Sequence, residues 1–269
     1  MDQQHPPTTP ASSDAALALL HSVYPPHLFA PSTASSNSQG RPFVTLTYAQ
    51  SLDGKIAGPR GKQIRLSGEE SMALTHRLRE LHDSILVGVG TVLNDDPQLT
   101  ARIPDLLPLS SQPAPIILDS TLRSPSSCKL LRNARCGVGK WTTVVHAPAL
   151  DADTLFVERS TALEEAGAAF LEVERDASGH LSLSSMLSHP TASQVFGRSL
   201  MVEGGASVIT SFLASGLVDL VFVTVAPVLV GSEGVSVTQP GIDLPELEHL
   251  KTEAYGKDTV FICRPKKRQ

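Results

Sequence analysis

The chain has 269 residues, 41% of them hydrophobic and 18% charged, enough for one large packed domain and unlike fibrous or wholly disordered chains. A net charge of −5 leaves no bulk positive field for nucleic acid or an anionic membrane, and the apolar run 217–231 is broken by Asp219 and Pro227, short of a membrane span. Three cysteines (Cys128, Cys136, Cys263) without C-x-x-C or Cys/His spacing exclude a disulfide scaffold and a zinc module, and fit a reducing, cytoplasmic compartment.

Residues 1–41 form a lead rich in Pro, Ser, Thr and Ala, expected to be flexible apart from a short amphipathic helix at 17–23. Its start carries neither the charge nor the apolar core of a secretory signal, and its first arginine is Arg41, against a transit peptide. Residues 42–269 read as one packed domain. A strand is expected over 43–49, followed by a tight turn at Asp53-Gly54 with Lys55 just beyond it. Lys55 is either a solvated charge or faces an anionic ligand. Ser67-Gly-Glu-Glu70 reads as a capping box opening a helix over 67–82, whose stripe is Leu74, Leu78 and Leu81. Arg79 lies about 140° from that stripe at 100° per residue, so periodicity turns it to solvent. The continuous apolar run 84–89 is a strand covered on both faces. Further strands are expected at 116–119, 142–146, 169–173, 200–203, 218–226 and 259–264. Helices are expected at 163–167, 183–188 and 206–215, the last stopped by Gly216. The alternation predicts an α/β domain with a mainly parallel sheet and helices on both faces.

Two glycine-bearing corners carry the functional signal. In Val202-Glu-Gly-Gly-Ala-Ser207 a buried strand turns into a helix, and the absent side chains of Gly204 and Gly205 let a phosphate approach the helix amides, or simply permit a tight turn. In Val87-Gly-Val-Gly-Thr-Val-Leu-Asn-Asp-Asp-Pro97 a strand ends at Gly88-x-Gly90, where open α/β sheets bind ligands. The adjacent Asp95 and Asp96 are a site, or a turn and a cap. His76 and His82, six residues apart, miss the spacing of a helical metal pair, so no metal is expected. No nucleophile elbow surrounds Ser71, Ser120 or Ser207. The basic tail at 266–268 reads as a solvated terminus.

Together these strings resemble the riboflavin-pathway pyrimidine reductases. They are Thr47-Tyr-Ala-Gln-Ser-Leu-Asp-Gly-Lys-Ile-Ala57, Leu66-Ser-Gly-Glu-Glu-Ser71, the segment 85–102 with its Gly-x-Gly-Thr and Asp-Asp-Pro-x-Leu-Thr-x-Arg pattern, Ile117-Leu-Asp-Ser-Thr-Leu-Arg123, Val202-Glu-Gly-Gly-Ala206 and Val225-Ala-Pro-Val-Leu-Val-Gly231. The resemblance covers about residues 42–264. The chain lacks the zinc deaminase signature of the bifunctional bacterial proteins and so looks like the stand-alone fungal form. The resemblance implies a single dihydrofolate-reductase-like domain with an antiparallel C-terminal strand. It also implies NADPH, a homodimer, and reduction of the ribosyl chain of 2,5-diamino-6-ribosylamino-4(3H)-pyrimidinone 5′-phosphate. By the same resemblance, Thr91 and Asp95 meet the cofactor, and Gly204, Gly205, Ala206, Ser207 and Val208 hold its phosphates. Ala49, Ser120 and Arg65 lie along the cofactor groove. Gln63, Arg79, Leu99, Arg102 and Glu203 line the substrate pocket with Lys55 close by. Lys55 is expected to donate a proton or stabilise charge, Asp95 to orient, and Arg79 and Arg102 to take the 5′-phosphate. The implied partner is a small molecule, not nucleic acid or a membrane.

Two rivals make different predictions. A pterin or folate reductase of the same fold turns over dihydrofolate; a non-catalytic dinucleotide binder takes up NADPH without oxidising it. All of these readings require residues 88–91 and 204–207 to share one groove.

Overall fold

The protein is described by a computed structural model over residues 11–30, 40–103, 105–149 and 153–266. The proline- and serine-rich stretches 1–10 and 31–39, and positions 267 and 268 of the basic tail, lie outside the described residues. The strands are β1 (Phe43–Ser51), β2 (Lys55–Ala57), β3 (Ser84–Gly88), β4 (Ala114–Leu118), β5 (Thr143–His146), β6 (Ala169–Glu172), β7 (Ser199–Glu203), β8 (Leu220–Ala226), β9 (Val235–Ser236), β10 (Leu247–Tyr255) and β11 (Asp258–Pro265). The helices are α1 (Ala11–Val23), α2 (Glu69–Leu81), α3 (Val89–Asp95), α4 (Lys129–Arg135), α5 (Thr154–Glu165), α6 (Leu183–Leu187), α7 (Ala192–Phe196) and α8 (Ala206–Ser215).

Nine strands form one sheet in the order β10-β11-β8-β1-β7-β3-β4-β5-β6. Pairing is parallel from β8 to β6 and antiparallel at β8–β11 and β11–β10. The expected mainly parallel architecture holds, with two antiparallel C-terminal strands in place of one. Period-two alternation splits the central strands between two cores. Ile85, Val87, Ile117, Val144 and Met201 pack under α1, α2, α4 and α5. Val44, Leu46, Leu86, Ile116 and Val202 pack under α6, α7 and α8. Gly216 stops α8 at φ +69, a left-handed position.

The structure differs from the expected lead in its middle part. The helix is longer than 17–23, and Ala16, Leu19, Leu20, Tyr24 and Leu28 are buried in the first core. The Tyr24 ring stacks on Phe222 at 5.9 Å between centroids, and its hydroxyl meets Thr45 Oγ1 at 2.9 Å.

The capping box does not form. The N-cap of α2 is Gly68, with no cap from its own side chain. Asp258, at the start of β11, supplies the acceptor instead: its Oδ2 takes Gly68 N at 2.6 Å and Ser71 Oγ at 2.5 Å. The helix expected at 163–167 is the last part of α5, which begins nine residues earlier behind the N-cap Asp153. No described helix is long and apolar enough to cross a membrane.

Candidate active site

Parallel strands β1, β7, β3 and β4 deliver their carboxyl ends to one side of the sheet. Leu86 pairs with Val202, so Gly88 and Gly204 each stand two residues further along neighbouring strands. Both press on Val208 of α8. A Cβ at Gly88 would stand 2.8 Å from Val208 Cγ2, and one at Gly204 would stand 2.7 Å from Val208 Cβ. These two glycines seat α8 on the sheet. Gly90 and Gly205 have nothing within 4 Å of an added Cβ, and both border the groove. The sequence reading gave Gly204 and Gly205 one role; the structure divides them between packing and open approach.

The N-cap of α8 is Gly205, with no side-chain cap, so the first-turn amides of Ala206, Ser207 and Val208 are free of side-chain acceptors. They stand at the positive end of the helix dipole, the chemistry that suits a pyrophosphate. The groove they border has a volume of about 1100 Å³. Ala49, Gln63, Arg65 and Arg79 line it on the β1–α2 side. Thr91, Asp95, Glu203 and residues 204–208 line its middle, and Ser120 lies beyond β4. The residues present therefore fit a dinucleotide.

The adjacent carboxylates split their roles. Asp95 lines the groove, and burial pushes its carboxyl above the usual carboxylate range. Asp96, left-handed at the end of α3, accepts Lys129 N at 2.7 Å and so holds the start of α4.

Arg79 is the largest departure from periodicity. Its side chain is only 12% exposed. It forks onto Glu203, Nε to Oε1 and Nη2 to Oε2 at 2.8 Å each, while Nη1 donates to Thr100 O at 3.1 Å. A guanidinium so occupied positions Glu203, and the expected phosphate contact must come from elsewhere.

Three expected residues stand outside the groove wall. Leu99, at φ +53, is buried in the first core. Arg102 is exposed and bridges to Leu106 in the loop after α3. Lys55 donates from Nζ to Ser236 Oγ at 2.9 Å, while its neighbours Ile56 and Ala57 and the facing Val235 form the wall. The turn before Lys55 is tied to the loop after β8. Asp53 accepts Ser51 Oγ, Val230 N and Gly231 N, and these bonds hold its carboxyl down at about 2.

Sequence reasoning missed two organisers. Gln112, 1% exposed, shapes the loop carrying Leu99 and Arg102 by bonding Ala101 N, Ala101 O and Leu107 O. His76 is buried, and burial, with the charges of Arg79 and Arg102, drops its pKa to about 4. Its place one turn before Arg79 was the only signal for it. Arg175 and His180, which also line the groove, had no distinguishing pattern, and Arg123, at the end of the string 117–123, was given no role.

The family model of the RibD C-terminal domain matches residues 42–261. A Candida glabrata protein named 2,5-diamino-6-ribosylamino-4(3H)-pyrimidinone 5′-phosphate reductase is 38% identical over 233 residues, 83% of this chain and 89% of its own length. The Schizosaccharomyces pombe protein of that name is 35% identical over 209 residues, 71% and 76% of the two chains. The Saccharomyces cerevisiae riboflavin biosynthesis reductase Rib7 superposes with a TM-score of 0.68 at 25% identity, covering 93% of this chain and 98% of that one. Acinetobacter baumannii RibD shares the fold at a TM-score of 0.69, and this chain covers 59% of it. The chain belongs to the RibD C-terminal domain family.

Proposed function

We propose that the chain reduces the ribosyl side chain of 2,5-diamino-6-ribosylamino-4(3H)-pyrimidinone 5′-phosphate to its ribitylamino product, a step of riboflavin biosynthesis, with NADPH, as a cytoplasmic homodimer. It is an oxidoreductase of its family. One observation carries the reading: the glycine corners at 88–91 and 204–207 meet over Val208 in a single groove that also holds Asp95 and the Arg79–Glu203 pair. The substrate is supported by the names of relatives aligned over most of their length.

The coenzyme, when bound, supplies the hydride that reduces C1′ of the sugar. The chain's residues align and charge the site around that transfer. The amides of Ala206, Ser207 and Val208 hold phosphate oxygens, and Thr91 flanks them. Glu203, fixed by Arg79, accepts hydrogen bonds from substrate amino or hydroxyl groups, because each of its oxygens keeps a second lone pair. Asp95, its carboxyl raised by burial, exchanges a proton more readily near neutrality than a solvated aspartate, which suits it to opening the ribose ring. Arg102, which makes no ion pair among the described residues, takes the 5′-phosphate only by turning into the groove from the loop outside its wall. Lys55 takes part only by leaving Ser236. For the dimer, exposed Leu52 and Leu229 sit on adjoining turns, and β10 leaves one edge unpaired.

The decisive measurement follows NADPH absorbance with and without the unreduced pyrimidine. Oxidation only in its presence is expected. Turnover of dihydrofolate instead, or binding without oxidation, overturns the reading. In the same assay, wild-type turnover by Lys55→Met removes Lys55 from the chemistry.

A further inference from the structure

The end of the groove beyond β4 is basic, and none of the roles above uses it. Its wall carries Arg123, from the segment after β4, and Arg175 and His180, from the turn between β6 and α6. Among the described residues no Asp or Glu lines this end; the acidic wall residues are Asp95 and Glu203, nearer β3 and β7. Neither Arg123 nor Arg175 forms an ion pair among the described residues.

The turn is firmly built. Arg175 and Leu181 form an antiparallel bridge, and Asp176 N donates to His180 O at 2.7 Å. Asp176 Oδ1 accepts the amides of Ser178 at 2.9 Å and His180 at 3.0 Å, which ties the carboxylate to the turn. Arg175 Nη1 donates to Gly179 O at 2.7 Å, which leaves the rest of its fork available. Leu183, just past the turn, opens α6, which packs on α8, so the turn is anchored to the helix that carries the phosphate-binding amides.

Position along the groove says what this end receives. The carboxyl ends of β1 and β4 lie three strand spacings apart, about 14 Å. The first turn of α8 stands between them, at the end of β7. A dinucleotide with its pyrophosphate there extends one nucleoside to each side. The β1 side, with Ala49, Gln63 and the Arg79–Glu203 pair, holds the reacting ring, so the adenosine falls on the β4 side beside Arg123, Arg175 and His180.

We propose that Arg175 and His180, together with Arg123, bind a phosphate ester on the adenosine ribose and so set the preference for NADPH over NADH. Guanidinium forks match phosphate oxygens in pairs, and the imidazole adds a ring N–H donor. This inference rests on the coenzyme reading above and deepens it.

The test titrates the full chain calorimetrically with adenosine 2′,5′-bisphosphate and with adenosine 5′-monophosphate, probes that lack the reacting ring. The bisphosphate is expected to bind the wild type more tightly. Arg175→Gln and Arg123→Gln are each expected to weaken the bisphosphate about tenfold while leaving the monophosphate within about twofold. Arg175→Lys, which keeps the charge without the fork, is expected to fall between. Arg123→Gln removes no hydrogen bond of the turn, so it reports even where Arg175→Gln disturbs the turn. Wild-type bisphosphate affinity in both Gln variants overturns the proposal. A wild type that binds both probes equally overturns it while leaving the reductase reading intact. A wild type that binds neither probe, nor NADPH, overturns both.

Discussion

Arg79 shows what helical periodicity can and cannot see. The stripe Leu74, Leu78 and Leu81 locates the seam between α2 and the first core correctly. It is silent about a second wall, and the end of β7 stands there with Glu203, 124 residues away in sequence. Only the family resemblance pointed Arg79 inward, and the structure gives the reason in a bidentate pair rather than a free cation. Removing one member leaves the other partly buried and unpaired, which costs more than the intact pair contributes. Arg79→Met is therefore expected to lose about 2 kcal/mol in urea unfolding, discounted from the fully buried case because Glu203 is 21% exposed. The double variant Arg79→Met, Glu203→Leu should regain most of that stability while remaining inactive. A double variant no more stable than the single one contradicts the pairing argument. Lys55, Leu99 and Arg102 were not separable from true wall residues by sequence, because a motif fixes chain order and not where a side chain turns.

At the scale of elements, the corners of β3 and β7 work as a socket for α8. The helix was legible in full: its apolar face, its bounds 206–215 and its stop at Gly216 all appear in the structure. The reason for Gly88 and Gly204 was not, because Val208 approaches both from outside their own strands. Gly88→Ala drives a methyl into Val208 and is expected to cost about 1–3 kcal/mol. Trimming the opposing side chain in Gly88→Ala, Val208→Ala should recover part of that loss. Gly205→Ala, with open space and φ −76, should leave thermal stability unchanged and weaken NADPH binding instead. Equal destabilisation by both single variants would refute this division of labour. Other elements hid for identifiable reasons. β10 carries Glu248, His249, Lys251, Thr252 and Glu253 with little burial, since an edge strand needs no apolar alternation. The capping box failed because a distant carboxylate, Asp258, outcompeted Ser67 for the helix start. α5 began early because only Leu163 of its length is buried, leaving almost no stripe to read.

Across the whole molecule, one hydrogen-bonded chain ties the lead to the sheet. Leu78 O can only accept, so His82 Nδ1 carries the proton in their 2.6 Å contact. His82 Nε2 then accepts from Thr45, and Thr45 in turn accepts from the Tyr24 hydroxyl, at 2.9 Å each. The chain requires a neutral imidazole. Burial drops His82 to about 4 and, with nearby arginine charges, His76 to about 4, against about 6.5 for an exposed histidine. Between those values the unfolded chain binds protons that the folded chain refuses. Stability is therefore complete above about pH 6.5 and falls as the pH drops toward 4. Asp53, held at about 2, stays ionised in the folded chain throughout this window and begins to weaken stability only below about pH 5, where its unfolded form takes up protons. From pH 7 to pH 5, His82 alone should remove about 2 kcal/mol, read from urea unfolding at both values. His82→Gln should flatten the profile by that amount, whereas Tyr24→Phe lowers stability at both pH values without changing the slope. An NMR titration that finds His82 taking up its proton near pH 6.5 in the folded protein would contradict the neutral chain, and with it the account of how α1 is held.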